Sequence, residues 1–249
     1  MRIFLNTLSL AAVVALAACQ QQNQVQVAPV TAVVPAFSSY EQFVAGSKKY
    51  PTVMEVYLDR NLLSRATGKD PIYICLSQQR GRLYVDGKVA ADWPVSTGAD
   101  THPTPTGRYK VRLKKKEHAS NRYGKFYNAD GKCVNRNADV FTQTIPEGGR
   151  FEGSAMPNWM RLTSDGVGMH TGKVRAGRRL SHGCIRLPHV VATLLYDEVV
   201  QLGTPVYIME DIEPGYPVAE AMARREIAEA EAKAEAAAGK AASTADAEG

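Results

Sequence analysis

The sequence predicts a mainly β domain with flanking helices, built around a mixed sheet, over residues 70–210. Three observations support this fold class: short apolar runs rich in β-branched and aromatic residues, turn residues between those runs, and one late stretch with helical spacing. Strands and helices with one apolar face each are expected to pack in layers around a shared core. With 249 residues, 45% of them apolar, the chain can bury such a core.

Alternating apolar residues predict the strands of the first half of the domain, at residues 72–76, 82–85, 89–95 and 108–113. Asp86-Gly87 separates the second and third runs and is typical of a two-residue hairpin turn. The prolines and Gly107 within 103–107 predict a shaped loop, of the kind that often borders a site.

The second half of the domain is less regular. Residues 117–159 are long, polar and weakly patterned, and we interpret them as a functional insertion or lid. Four aromatic residues there could line a groove or pack locally: Tyr123, Phe126, Tyr127 and Phe141. Helical spacing from Pro188 to Leu202 predicts a helix that Gly203 ends, and a last strand is expected at 206–209.

The regions on either side of the domain are expected to be simpler. Residues 19–69 are interpreted as a tether and a short helical lead-in, with the flexible part at about 20–47 and the helix within 51–66. Residues 211–249 are rich in Ala, Glu and Lys and hold too few large apolar groups to fold alone. We expect a disordered or partly helical tail.

Residues 1–18 resemble a cleaved signal peptide. Arg2 precedes an apolar run that is too short to span a bilayer comfortably and ends in small residues. The tetrad Leu16-Ala17-Ala18-Cys19 resembles a lipoprotein signal, which implies cleavage before Cys19 and acylation of that cysteine. We therefore expect a periplasmic, lipid-anchored protein, and Gln20 favours the outer over the inner membrane. An ordinary signal with a coincidental cysteine is the alternative.

The net charge of +5 is mild, and basic residues crowd the middle of the chain. An anionic surface or ligand is therefore expected nearby. Nucleic acid is not expected as a partner, because the sequence has no zinc finger, RNA-binding signature or recognition-helix pattern.

Three cysteines remain after cleavage: Cys75, Cys133 and Cys184. An odd number in an oxidising compartment indicates at least one free thiol, which could be reactive. Cys75 lies in an apolar run and is expected to be a small core side chain. A disulfide between Cys75 and Cys133 is the alternative.

The chemistry is concentrated around Cys184. A reactive cysteine needs a nearby base or positive field, and His182, Arg186 and the start of the following helix could supply these. His170 is far enough upstream to lie on a neighbouring strand, where it could take the thiol proton and return one to a leaving amine. The amides of Gly183 and Cys184 could stabilise a developing oxyanion.

The pattern Ser181-His182-Gly183-Cys184-Ile185-Arg186, with Met169-His170 upstream, resembles the L,D-transpeptidase catalytic domain, or YkuD domain, of bacterial cell-wall enzymes. Earlier segments also resemble the opening strands of that family, so the resemblance covers about residues 70–210: Ser77–Arg80, Asp86-Gly87, Pro94–Gly98 and Pro103–Tyr109.

The resemblance implies a role for each site residue. Cys184 is the nucleophile, His170 is the general acid/base, and His182 and Gly183 complete the motif. Arg186 shapes the site or binds a substrate carboxylate. Other residues of the two motifs are expected near the substrate: Met169, Thr171 and Ser181. His102 and His118 are expected to face solvent.

The resemblance also implies the reaction. Cys184 attacks the bond after diaminopimelate in a peptidoglycan tetrapeptide stem, releases D-alanine and forms a thioester. The acceptor could be another stem, giving a 3–3 cross-link, or the amine of an outer-membrane protein, and water would make the protein a carboxypeptidase or endopeptidase. No metal or organic cofactor is expected, because thiolate, imidazole and amides supply the needed groups.

Two departures from the family pattern leave the acceptor open. The link between His170 and Ser181 is rather short and strongly basic, and the insertion at 117–159 is long. The basic residues of that link are Lys173, Arg175, Arg178 and Arg179.

Three other functions fit this sequence less well. A zinc site could draw on His170, His182, Cys184 and His189, but His182 and Cys184 are too close in sequence for most tetrahedral sites. A papain-like peptidase would place its cysteine before its histidine. A lipoprotein that only binds the cell wall would not require the pairing of Cys184 with His170.

Overall fold

The computed structural model describes residues 37–212 and Lys233. Its strands are β1 Tyr57–Leu58, β2 Ile72–Cys75, β3 Arg80–Val85, β4 Lys88–Pro94, β5 Gly107–Lys110, β6 Leu113–Lys115, β7 Ala119–Tyr127, β8 Cys133–Asp139, β9 Arg150–Ala155, β10 Trp159–Arg161, β11 Gly168–Thr171, β12 Ile185–Leu187 and β13 Pro205–Met209. Its helices are α1 Tyr40–Gly46, α2 Arg60–Leu63 and α3 His189–Leu194, and a π-helical turn follows at Leu195–Val199. The mainly β fold class with flanking helices is confirmed.

The largest sheet has six strands in the order β1-β4-β3-β2-β13-β5. Strands β2 and β13 run parallel and the other pairs antiparallel, so the sheet is mixed, as predicted. The predicted hairpin joins β3 to β4, and its turn has φ values of 51° at Asp86 and 71° at Gly87. Both angles lie in the left-handed region that tight hairpin turns require.

The second sheet has four strands in the order β12-β11-β10-β6, with β11 and β12 parallel. Neither of these two sheets closes on itself. A single apolar cluster joins both sheets to α3, and it includes Ile72, Leu83, Met160, Met169 and Val191. This core fixes β11 and β12, the two strands on which the site is built.

The strand predicted at 108–113 is in fact two strands in different sheets. Strand β5 pairs with β13 of the first sheet, whereas β6 pairs with β10 of the second. Between them the Val111 amide donates to Thr204 O at 2.9 Å and the Arg112 amide to Arg161 O at 2.8 Å. The chain crosses from one sheet to the other here while its amides remain hydrogen-bonded. The apolar periodicity of 108–113 continues across this crossing and therefore does not reveal it.

Residues 117–159, interpreted from the sequence as a functional insertion or lid, form a third, antiparallel sheet in the order β8-β7-β9. The insertion leaves after β6 and returns at β10, and Lys115 lies opposite Trp159 where these two strands pair. Phe126 and Ala138 are buried in the inserted sheet, but most of its other side chains are exposed or only partly buried. With so little core, the strands show almost no apolar alternation.

Helix α1 lies inside the stretch predicted to be a flexible tether, so that prediction is wrong for residues 40–46. Ser39 caps the helix by accepting a hydrogen bond from the Gln42 amide at 3.2 Å. Tyr40, Phe43 and Val44 are buried in a second apolar cluster with Tyr84 and other residues of the first sheet. This part of the lead-in therefore belongs to the folded domain.

The helix predicted within 51–66 is limited to α2. Asp59 caps it by accepting hydrogen bonds from the amides of Asn61 and Leu62, both at 3.0 Å. Before Asp59 the guanidinium of Arg80 donates to the carbonyls of Val53 at 2.8 Å and Glu55 at 3.1 Å. These two carbonyls accept hydrogen bonds from a side chain and not from the amides of a helix.

A buried charge cluster ties this lead-in to the first sheet. Asp92 accepts from Arg80 Nε at 2.6 Å and Arg82 Nε at 3.0 Å, and also from the hydroxyls of Tyr40 at 2.6 Å and Tyr50 at 2.8 Å. The carboxylate is fully buried. Burial by itself would raise the pKa of Asp92, but Arg80 and Arg82 lower it below its ordinary value.

Replacing Asp92 with asparagine is expected to lower the free energy of unfolding by about 3–5 kcal/mol, because two buried guanidinium groups lose their counter-charge. Denaturant unfolding measures the change. The matched control is Asp197→Asn, which breaks the exposed pair with Lys116 and should cost less than about 1 kcal/mol. Equal losses in the two variants would contradict this account.

The predicted helix at 188–202 is shorter than expected. Helix α3 and its π-helical turn end at Val199, four residues before Gly203. The predicted final strand is confirmed as β13, which lies beside β2 inside the first sheet.

Cys75 is 1% exposed, which confirms it as a core side chain. Cys75, Cys133 and Cys184 are all free thiols, so the alternative of a disulfide between Cys75 and Cys133 does not hold.

No helix among the described residues is long and apolar enough to cross a membrane. The predicted signal peptide with Cys19 and, apart from Lys233, the tail from 213 onward lie outside the described residues.

Candidate active site

The parallel pair β11 and β12 brings the two principal candidates together. His170 lies opposite Arg186, and Met169 lies opposite Ile185. Extending this register by one residue places Cys184 beside Gly168. Because side chains alternate along strands, His170, Arg186 and Cys184 share one face of the pair, while Met169 and Ile185 point into the core. The prediction that His170 lies on a strand neighbouring Cys184 is confirmed.

The loop before Cys184 is held by its own side chains. Ser181 Oγ accepts from the Gly183 amide at 3.1 Å and donates to the Cys184 carbonyl. The Thr104 hydroxyl donates to the Gly183 carbonyl at 2.8 Å and accepts from the Gly98 amide at 2.8 Å. The predicted shaped loop at 103–107 therefore does border the site, and it fixes the backbone next to Cys184.

Replacing Ser181 with alanine is expected to lower the free energy of unfolding by about 1–3 kcal/mol, since it leaves two backbone groups beside Cys184 without their partner. The matched control is Ser154→Ala, in which the lost hydroxyl belongs to an exposed residue on the other side of the same cavity. Denaturant unfolding of the two variants measures the difference. A neutral Ser181→Ala would show that the loop holds its shape without this hydroxyl.

Both candidate catalytic groups are neutral at neutral pH. Burial lowers the pKa of His170 to about 4, and the nearby charges of Arg186 and His118 act in the same direction. Burial raises the pKa of Cys184, which the Gly168 amide and Arg186 only partly offset. The resting site therefore holds a thiol and a neutral imidazole, not a thiolate and an imidazolium.

A backbone hydrogen bond defines which nitrogen of His170 can act as a base. Nδ1 lies 2.9 Å from the Thr171 carbonyl oxygen, which can only accept, so Nδ1 carries the proton. Nε2 consequently holds the free lone pair. The thiol itself donates to the Gly166 carbonyl at 3.6 Å.

Two expectations are not met in full: that two backbone amides stabilise an oxyanion at Cys184, and that a helix dipole acts on its sulfur. The Gly183 amide is used by Ser181, so of the two amides proposed for an oxyanion only that of Cys184 remains a candidate donor. Strand β12 and Pro188 lie between Cys184 and α3, so this helix does not begin at the cysteine. Its dipole cannot act directly on the sulfur, because the effect decays within about one turn.

Cys184 and His170 line a cavity of about 560 Å³ that the inserted sheet closes on one side. Five of its lining residues are basic and one is acidic: Lys115, Arg122, Arg161, Lys173 and Arg186 against Asp165. Arg122 is paired with Asp139, whereas Lys115, Lys173 and Arg186 have no ion-pair partner within 37–212. Such a site attracts an anionic ligand.

Aromatic side chains surround His182. The Tyr123 ring stacks on it with centroids 4.4 Å apart, and His102 meets it edge-on at 4.7 Å. His118 stacks on Trp159 at 3.8 Å. The expectation that His102 and His118 face solvent is therefore wrong, since each is half-buried against another ring.

The remaining predicted site residues differ in position. Met169 is fully buried in the core and cannot contact a substrate. Thr171 accepts from the Asn158 side-chain amide at 3.3 Å and does not line the cavity. Ser181 reaches the cavity wall, but its hydroxyl is used within the loop. Arg186 lines the cavity and lies close to Gly172, where an added Cβ would be 2.9 Å from its Cγ.

Sequence reasoning missed several contributors: Thr104, His118, Trp159, Gly166 and Gly168. Of these residues, Gly168 is the one that the sequence could have indicated, because it is the first residue of the strand that carries His170. An added Cβ there would lie 2.6 Å from both the Met160 carbonyl oxygen and Trp159 Nε1, so only glycine fits. Within the described part of the chain, no group of three or more His, Cys, Asp or Glu side chains could hold a metal ion.

Comparison with known families places this site in context. A family model described as the L,D-transpeptidase catalytic domain (YkuD) matches residues 71–208. No curated protein matches the chain.

Similar solved structures include an L,D-transpeptidase from Mycobacterium smegmatis (21% identity, TM-score 0.44, covering 57% of this chain and 58% of that one). An L,D-transpeptidase mutant from Enterococcus faecium is 26% identical, with a TM-score of 0.41 and coverage of 57% and 50%. An L,D-transpeptidase from Stackebrandtia nassauensis is 17% identical, with a TM-score of 0.42 and coverage of 70% and 66%. The chain thus spans from half to about two thirds of the length of these structures.

Proposed function

The chain belongs to the YkuD family of L,D-transpeptidase catalytic domains, and on that premise we propose that it transfers a peptidoglycan acyl group through a thioester on Cys184. The observation that supports this most strongly is the shared face of β11 and β12, which presents the thiol of Cys184 and the imidazole of His170 to one cavity. The Nδ1–H of His170 is used by the backbone, so Nε2 serves as the base.

The first half-reaction forms the thioester. His170 Nε2 takes the thiol proton as the sulfur attacks the carbonyl carbon of the bond that follows diaminopimelate in a tetrapeptide stem. The carbon–nitrogen bond then breaks, the imidazolium returns the proton to the leaving nitrogen, and D-alanine departs. The Cys184 amide is the candidate donor to the oxyanion that forms in between.

The second half-reaction restores the thiol. An acceptor amine attacks the thioester carbon and loses its proton to His170, and the carbon–sulfur bond breaks. The sulfur leaves with that proton as a free thiol, and the acyl group ends in a new amide.

The charge of the cavity supports a peptide stem as the acyl donor, because a tetrapeptide stem carries several carboxylates. Arg186 is the best placed of the basic groups, since it shares the face of Cys184 and its guanidinium has no ion-pair partner within 37–212. We propose that it binds a stem carboxylate.

We further propose that the acceptor is an amine, of a second stem or of an outer-membrane protein, and that the enzyme acts in the periplasm on a lipid anchor at Cys19. The lipoprotein signal motif supports the anchor. The basic link at 173–179 supports an anionic environment around the site.

Incubation of the purified protein with tetrapeptide-stem muropeptides, with and without an added amine, tests the proposal. Mass spectrometry of the products should show D-alanine release that depends on Cys184, together with an amide product when the amine is present. Release of D-alanine with only hydrolysed product would indicate a carboxypeptidase. Unchanged muropeptides, with the thiol shown to be reduced, would contradict the proposed activity.

A further inference from the structure

Tyr123 connects the inserted sheet to the loop that carries Cys184. Its ring is stacked on His182 at a centroid distance of 4.4 Å and an interplanar angle of 22°. His182 is two residues before Cys184, and Tyr123 and Cys184 line the same cavity. Parallel ring contacts at this distance are typical of a specific aromatic interaction.

Other residues of the inserted sheet fix the position of the Tyr123 ring. The Arg122 guanidinium lies 4.8 Å from the ring centroid and is fixed by Asp139, which accepts from Arg122 Nε at 3.1 Å and Nη2 at 2.9 Å. The Tyr123 amide donates to Ser120 Oγ at 2.9 Å. The ring position therefore follows from the register of β7 and β8, in which Tyr123 lies opposite Asp139.

The loop between β4 and β5 also contacts His182. His102 meets the His182 ring edge-on at 4.7 Å, and Thr104, two residues later, holds the Gly183 carbonyl. His182 thus contacts two segments that are distant in sequence.

The backbone between His182 and Cys184 adopts an unusual conformation. Gly183 is buried and has a φ of 110°, in the left-handed region that favours glycine. Its amide donates to Ser181 Oγ at 3.1 Å, and its carbonyl accepts from the Thr104 hydroxyl at 2.8 Å. These hydrogen bonds hold the loop backbone, and the stacked ring of His182 adds a side-chain contact two residues before the sulfur.

We propose that Tyr123 is a positioning residue: by stacking on His182, it fixes the sulfur of Cys184 relative to Nε2 of His170. The insertion is then part of the catalytic apparatus of this chain and not only a wall of its cavity. This inference rests on the proposed function for the identity of the nucleophile. A displacement of about 1 Å between reacting groups can cost about 100-fold in rate.

The test uses two reactions of the full chain. One is D-alanine release from tetrapeptide-stem muropeptides, and the other is alkylation of Cys184 by iodoacetamide across pH, followed by peptide mass spectrometry. Alkylation needs no peptidoglycan, so a failure of the proposed function, with no D-alanine released, leaves the positioning of the thiol measurable.

Tyr123→Leu is expected to slow both reactions by about 10- to 100-fold and to change the pH dependence of alkylation. Tyr123→Phe, which keeps the ring, should restore both rates to within about threefold of wild type. The matched control is Tyr127→Leu on the same strand, whose ring lies against Arg150 at 4.0 Å and does not line the cavity. It should leave both rates unchanged.

Three results would overturn the inference. Wild-type rates in Tyr123→Leu would show that the ring is dispensable. A loss of D-alanine release with normal alkylation would make Tyr123 a substrate contact. A Tyr123→Phe variant as slow as Tyr123→Leu would assign the effect to the hydroxyl. Thermal unfolding of each variant shows whether a lost rate reflects a lost fold.

Discussion

Replacing Cys184 with alanine is expected to lower D-alanine release from tetrapeptide stems by at least about 10³-fold, to the background of the assay. The substitution removes the only atom in the cavity that can form the proposed thioester: the other described cysteines lie in the core, at Cys75, or on strand β8 of the insertion, at Cys133, and neither lines the cavity. Steady-state assays of released D-alanine measure the change.

Cys133→Ala provides the matched control, since it removes a half-buried thiol from the inserted sheet. This variant should retain wild-type turnover, and both variants should unfold at nearly the wild-type temperature. Substantial D-alanine release by a folded Cys184→Ala protein would reject Cys184 as the nucleophile.

Replacing His170 with glutamine is expected to lower turnover by about 10²- to 10⁴-fold, because the general base is lost. The pKa directions also predict how pH affects each protein. With a His170 pKa of about 4, the imidazole of the wild type is a competent base above that pH, and the rate should fall as pH drops through about 4.

In His170→Gln no base takes the thiol proton, and burial keeps the pKa of Cys184 raised. In this variant the rate at which iodoacetamide alkylates Cys184 should therefore increase about tenfold per pH unit up to that raised pKa, since only the thiolate reacts. His189→Gln, at the exposed first residue of α3, is the control and should keep the wild-type profile. D-alanine release at the wild-type rate by a folded His170→Gln protein would exclude His170 as the base.

The parts of the fold that the sequence predicts well are those in which local chemistry and burial agree. Asp86-Gly87 requires left-handed backbone whatever surrounds it, and Ile72 and Ile74 alternate because one face of β2 packs on the core. The inserted sheet could not be predicted in this way, because its strands bury little more than Phe126 and Ala138. Helix α1 was missed because its burial depends on a partner surface of tyrosines on the first sheet.

For the site, the motif predicted that Cys184 and His170 come together, and the parallel register of β11 and β12 explains how. The motif could not predict which of its groups form hydrogen bonds within the loop and which side chains point into the core. The Gly183 amide is taken by Ser181, and Met169 alternates into the core, although both lie within the motif. The stacking of Tyr123 on His182 depends on how the insertion folds back, which no local pattern encodes.

The most direct test of the central claim is the intact mass of the protein after brief exposure to a tetrapeptide-stem muropeptide, with quenching in acid to preserve a thioester. The account predicts an added mass equal to the muropeptide minus D-alanine, located on the peptide that contains Cys184, lost on treatment with hydroxylamine and absent from Cys184→Ala. An adduct on another residue, or none on a protein that releases D-alanine with its thiol reduced, would contradict it.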